Sequence, residues 1–234
     1  MPSKDKQRQM TFYSNAVGTK DENLMILPVP NPETLKLHTV KYKRMFRDLE
    51  RSVEKISYPV RDISLRVCSA GISSTDTLEI IEHGSYRVSI APTVQDLFRL
   101  DTTVFHLTPD LYTFFLNHYN SEFGYLCCVL KPGVHTYEPL CYSHALHSIK
   151  KLFVPTLHYH NHDGKVGTET ADWDHHIYSV GTTEAANCSY HSLSTNCVKW
   201  KQFPEEFRWT DADFVRCAEI VGYKKNCDVV FALA

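Results

Sequence analysis

The stretch that most constrains the fold runs from Phe153 to Tyr178, FVPTLHYHNHDGKVGTETADWDHHIY. Residues at alternate positions of a strand share a face. Phe153, Leu157, Tyr159, Trp173 and Ile177 fall on odd positions, with His175 the polar exception. His158, His160, His162, Asp172, Asp174 and His176 fall on even positions. Apolar residues on one parity and polar ones on the other mark a half-buried strand. The segment Asp163 to Ala171 carries Gly164 and Gly167, which suit turn conformations. The stretch therefore predicts a β-hairpin, Leu152 to His162 against Asp172 to Ser179. In that register His158 faces His176, His160 faces Asp174 and His162 faces Asp172.

The even face carries the only chemistry the chain suggests. Neutral imidazole and carboxylate are customary ligands of Zn²⁺ and Fe²⁺. His158, His160, Asp174 and His176 are the candidate metal ligands, with Asp172 as an alternative carboxylate. Bound Zn or Fe would turn a water into a nucleophile, with a carboxylate as base, and make the chain a metal-dependent hydrolase. The competing reading is the solvated face of an antiparallel sheet, where His and Asp are ordinary residues. It weighs more, because no second constellation supports the first. The run His158-x-His160-x-His162-Asp163 exchanges the last two residues of the metallo-β-lactamase pattern, and Glu169 lies at a longer gap than the cupin pattern uses. The rival function is a non-catalytic structural or protein-interaction component, whose sheet face and Pro-rich edge bind other chains.

Composition bounds both readings. With 43% apolar and 22% charged residues, the chain is globular. A charged tail over residues 1–9 is expected to be disordered, followed by a single α+β domain over 10–234. The net charge of −2, with no basic block, disfavours a nucleic-acid partner. The N-terminal stretch has no apolar signal region, and no apolar run approaches the ~20 residues a membrane helix needs. A soluble, cytoplasmic protein is the expectation. Eight cysteines without a CxxC spacing then read as mostly free thiols, with Cys127 and Cys128 on opposite faces of a strand.

Taken in order, Gln9 to Ser14 and Leu24 to Val29 read as strands. Pro28, Pro30 and Pro32 confine the second to a sheet edge. Residues 41–56 read as an amphipathic helix, 57–76 as a loop, and the run around His83-Gly84 as a hairpin. Thr93 and Thr108 cap helices, the first running to Leu100. FGYLCCVLK is a strong strand, and TYEPLCYSHALH, Thr136 to His147, returns as another, interrupted by Pro139. A last helix starts at Thr210-Asp211 and stops at Gly222, and Cys227 to Leu233 closes the chain as an interior strand. The fold class is α+β, a mainly antiparallel β-sheet with three or four helices packed on it.

The Leu27-Pro28-Val29-Pro30 segment, the Gly84-x-Tyr86-x-Val88 strand with its following helix, and the Tyr119…Gly124-Tyr125 stretch together resemble a family of uncharacterised domains from bacteria and large DNA viruses. The resemblance spans about the first 130 residues. It implies a fold layout and no reaction or ligand.

Overall fold

The computed structural model describes residues 1–14, 24–40, 42, 44–54, 77–131, 138–157, 169–182, 189–194, 198–209 and 214–234. Among these, twelve strands form four antiparallel sheets, accompanied by two α-helices and short 3-10 turns.

The most apolar strand organises the first sheet. β6 (Phe123–Leu130) is buried along its whole length. Its even residues Leu126, Cys128 and Leu130 enter one core, and its odd residues Tyr125, Cys127 and Val129 another. The adjacent thiols therefore do point to opposite faces. β2 (Leu24–Pro30) and β5 (Tyr86–Ala91) flank β6, and β4 (Ile81–His83) is added outside β5. β2 is an edge strand, as its prolines require, because an edge needs no ladder N–H on its outer side. β4 and β5 turn at Gly84, whose φ of 58° falls in the left-handed region.

Gly124 marks a tight approach. A Cβ there would meet the Pro32 ring and lie 2.8 Å from the Ala91 carbonyl oxygen. Overpacking against backbone costs about 1–3 kcal/mol. Gly124→Ala should therefore lower the denaturant midpoint by the equivalent of about 2 kcal/mol. A midpoint equal to that of the parent would contradict this packing.

The remaining layers follow from the cores. The outer face of the first sheet is covered by the 3-10 turn Gln95–Arg99 and by α2 (Pro109–His118), capped by Thr108, whose Oγ1 accepts from Leu111 N at 3.3 Å. Its inner face packs on a second sheet, β1 (Arg8–Tyr13), β7 (Leu140–Ala145) and β3 (Lys36–Leu37), with β7 in the middle. The other face of that sheet gives Met10 and Cys141 to a core shared with α1 (Met45–Glu54), β9 (Thr170–Val180) and β11 (Phe214–Lys225). β11 lies between β9 and β10 (Ser189–Ser194). The far face of β9 and β11 packs on a two-stranded sheet of β8 (Lys151–Val154) and β12 (Val229–Ala232).

Several expectations are corrected. Among the described residues there are two α-helices and not three or four, so the architecture is four antiparallel sheets with two helices and not one sheet carrying three or four. The segment from Thr93 to Leu100 makes a 3-10 turn, and the last expected helix is strand β11. Leu152 to Val154 pair with β12, while β9 pairs with β11, so the described parts of the expected hairpin do not pair with each other. Among the described strands β12 pairs with β8 alone and alternates, Phe231 and Leu233 buried and Val230 exposed. Within residues 1–9, Pro2 bridges Gln9, Ser3 is buried, and the Trp209 indole donates to the Pro2 carbonyl at 3.0 Å.

The five described cysteines are free. Cys127, Cys128, Cys141 and Cys217 are buried, with burial pushing each thiol pKa upward, and Cys227 is exposed. No helix among the described residues is long and apolar enough to cross a membrane.

Candidate functional site

Of the four predicted metal ligands, Asp174 and His176 lie in β9. His158 and His160 fall outside the described residues. The predicted parity holds through most of β9: Ala171, Trp173 and Ile177 are buried, and Asp172 and Asp174 are exposed. The partner strand is β11, which sets Glu219 opposite His176, Val221 opposite Asp174 and Tyr223 opposite Asp172. Directly opposed residues of an antiparallel pair share a face, with Cβ atoms about 4.5–5.5 Å apart. Glu219, Val221 and Tyr223 therefore complete the face that the sequence assigned to His158 and His160. A helix over 210–221 hid them.

Asp174 and Glu219 of this face each lie beside a histidine. His175 Nδ1 lies 3.1 Å from Asp174 Oδ1, and His176 Nε2 lies 3.7 Å from Glu219 Oε1. Among the described residues, no three His, Cys, Asp or Glu side chains are grouped to hold a metal ion. Toward its inner end the same face becomes core. Tyr178 and Val180, opposite Cys217 and Val215, lie under α1, where Phe46 meets Tyr178 with ring centroids 6.3 Å apart. Burial raises the Tyr178 phenol pKa, and the nearby charges of Glu50 and Glu219 add to the rise. The ribbon face thus runs from a closed apolar end to an open acidic-aromatic end.

Two buried polar constellations had no sequence signal. In the first, His38 Nε2 lies 2.8 Å from Ser143 Oγ, and Arg8 Nη2 donates to the same oxygen at 3.0 Å and to the Thr34 carbonyl at 3.0 Å. Burial holds the His38 pKa below its ordinary value. A serine beside a histidine has the outline of a nucleophile and its base. Here Ser143 is fully buried in the middle strand of its sheet, so the trio ties β1, β3 and β7 together and offers no approach to a substrate. In the second, Asp228 accepts from Tyr119 Oη at 2.7 Å and from the backbone N–H groups of Thr156 and Leu157 at 2.9 and 3.0 Å. Burial raises its pKa, and the Tyr119 hydrogen bond opposes the rise. This carboxylate fastens the exit of β8 to the end of α2 through the residue preceding β12.

Comparison with known proteins adds a fold. No family model matches the chain, and no curated protein matches it. The bacterial side of the resemblance read from the sequence therefore gains no support. Among solved structures, the chain is similar to a mutated baculovirus P35 after caspase cleavage, with a TM-score of 0.50 and 15% identity, covering 99% of this chain and 97% of that one. It is also similar to P35 in the caspase-8/P35 complex, with a TM-score of 0.49 and 12% identity, covering 99% and 93%. The first comparison carries the likeness, which at this identity is one of fold, with a baculovirus protein matched over 97% of its length.

Proposed function

We propose that this chain is a non-catalytic protein-interaction component, and that its partner is a protease of the caspase class. The observation that carries the reading is the fold match over 99% of the chain to a baculovirus P35 that caspase has cleaved. The ribbon face fits an interaction protein better than an enzyme, because Asp174 and Glu219 pair with histidines while Val221 and Tyr223 stand outward. A protein partner was the alternative that the sequence already allowed, and it displaces the metal-dependent hydrolase as the leading function.

The test is direct. The purified chain is mixed with a recombinant active caspase at equimolar concentration. Residual activity is followed on a peptide substrate, and the mixture is resolved by size exclusion and intact-mass spectrometry. The expected result is loss of caspase activity with co-elution, or a single cut in the chain after an aspartate. Asp62 and Asp76, in the sequence connecting α1 to β4, are the first positions to replace by alanine if a cut is found. A chain that is neither cut nor bound, and leaves caspase activity unchanged at micromolar concentrations, would overturn the reading.

A further inference from the structure

We propose that this chain pairs with a second copy of itself, each copy inserting the turn at Ile149 into the other's cleft between Pro32 and Pro92. The inference is separate from the caspase reading and does not depend on it.

The turn joins β7 to β8. The Lys151 N–H donates to the Ser148 carbonyl at 3.1 Å and closes a tight turn with Ile149 and Lys150 at its corners. The Leu233 N–H donates to the Lys150 carbonyl at 2.7 Å and fixes the turn against the end of β12. Lys150 has a φ of 64°, a left-handed conformation that is costly for a residue with a Cβ. Glycine or asparagine is the usual choice at such a corner. Ile149 is 87% exposed, more than any other large apolar side chain among the described residues. Neither residue serves the fold, which would be met by a polar first corner and a glycine second. The frame instead holds an isoleucine outward with two lysines behind it. Lys150 and Lys151 are exposed, and among the described residues no carboxylate pairs with either.

A recess of matching chemistry lies beside this projection. Pro32 and Pro92 give it apolar walls, Asn31 and Ser121 line it, and Glu33 and Glu122 supply carboxylates. Its volume is about 430 Å³, ample for an isoleucine side chain. Pro32 is seated on Gly124, where a Cβ would collide with its ring. Asn31 fixes the rim: its N–H donates to the Glu122 carbonyl at 3.1 Å, and Nδ2 donates to the Leu146 carbonyl at 2.9 Å. Glu33 is exposed and has no partner among the described residues. Glu122 accepts from Asn120 Nδ2 at 3.3 Å and lies 4.0 Å from His147 Nδ1, both through Oε2. The amide leaves the carboxylate charge in place, and the side chain is 64% exposed.

The position of the two features selects the occupant. Leu146 and His147, which touch the rim, run directly into Ser148. A closed dimer needs one patch that complements itself under a two-fold rotation. A cationic apolar projection next to an anionic apolar recess meets that requirement. The turn of each copy enters the cleft of the other, and Lys150 and Lys151 meet Glu33 and Glu122 twice. An unrelated acidic partner would require the projection alone, whereas the adjoining recess favours a second copy.

The experiment is sedimentation velocity of the full chain over a concentration series up to submillimolar. The mass should grow toward twice the 27.0 kDa of one chain, less so at high salt. Ile149→Ser should weaken the dimer about a hundred-fold, roughly ten-fold for each of its two insertions. Two charge reversals test the pairing itself. Lys150→Glu with Lys151→Glu, and Glu33→Lys with Glu122→Lys, should each be monomeric alone. An equimolar mixture of the two should dimerise, because every projection then meets the opposite charge. All these side chains are exposed, so each variant should melt with the parent, and Ile149→Ser carries the test should a reversal fail to fold. A parent that stays monomeric would overturn the proposal and leave the turn to a different acidic protein. A dimer untouched by Ile149→Ser, or a mixture of the two reversals that stays monomeric, would overturn it as well.

Discussion

Gln9→Leu should lower the melting temperature by about 10 °C. Gln9 lies on β1 and is 2% exposed. Its amide reaches across to β8 and behaves as a strand residue would: Oε1 accepts from the Phe153 N–H at 2.9 Å, and Nε2 donates to the Phe153 carbonyl. Nε2 also donates to Thr11 Oγ1 at 2.9 Å. Among the described residues β8 pairs with β12 on one side only, so without Gln9 both backbone groups of Phe153 would face a buried space unpaired. Leucine keeps the volume and removes both partners. Each orphaned group costs about 1–3 kcal/mol, giving a total of about 3 kcal/mol. For a chain of this size, each kcal/mol moves the melting temperature by about 2–4 °C. Hydrogen exchange at the Phe153 amide should accelerate more than at its neighbours. A Gln9→Leu protein melting within about 2 °C of the parent would show that this amide does not join the two sheets.

The contrast between β6 and β11 shows what the sequence made legible. β6 is buried on both faces along its whole length, so its continuous apolar run read correctly as a strand. β11 is also buried on both faces, but at different points along its length. Val215 and Cys217 face α1, while Ala218 and Ile220 face β8 and β12. The side of burial changes midway, and with it the parity of the apolar positions. Residues 215, 218 and 221 then fall at helical spacing, and Thr210-Asp211 before them and Gly222 after them supply helix punctuation. A strand between two cores imitates a helix for this reason. In β9 the parity was legible, because alternation is a local property. Its partner was not, because pairing is decided by contacts far along the chain. The same limit hid Glu219, Val221 and Tyr223 from the site. It hid Gln9 as well, which is an ordinary strand residue until its amide is seen against Phe153.

Acid should destabilise the protein between about pH 6.5 and pH 4, and His144 should account for a large part of the loss. His144 is 1% exposed in β7, and its Nδ1–H donates to the Ala145 carbonyl at 2.8 Å. Burial lowers its pKa to about 4. The hydrogen bond to Ala145 resists the drop, and the positive charge of Arg8 and the neighbouring His147 reinforce it. In the unfolded chain the imidazole takes its proton near its ordinary value of 6.5. Above that pH both states hold it neutral, and the contribution to stability is complete. As pH falls below 6.5 the unfolded state binds a proton that the folded state refuses, and stability declines until the folded imidazole titrates near 4. With each pKa unit worth about 1.36 kcal/mol, the loss over the window is about 3 kcal/mol. His38, depressed by burial as well, acts in the same direction. Asp228, with its raised pKa, acts in the opposite one. His144→Asn isolates the effect, because the asparagine amide can occupy the place of Nδ1 and still donate to Ala145. Urea unfolding of parent and variant across pH 4 to 8 should give a constant difference above pH 7 that closes progressively below it. Parallel curves throughout would assign the acid sensitivity to other groups.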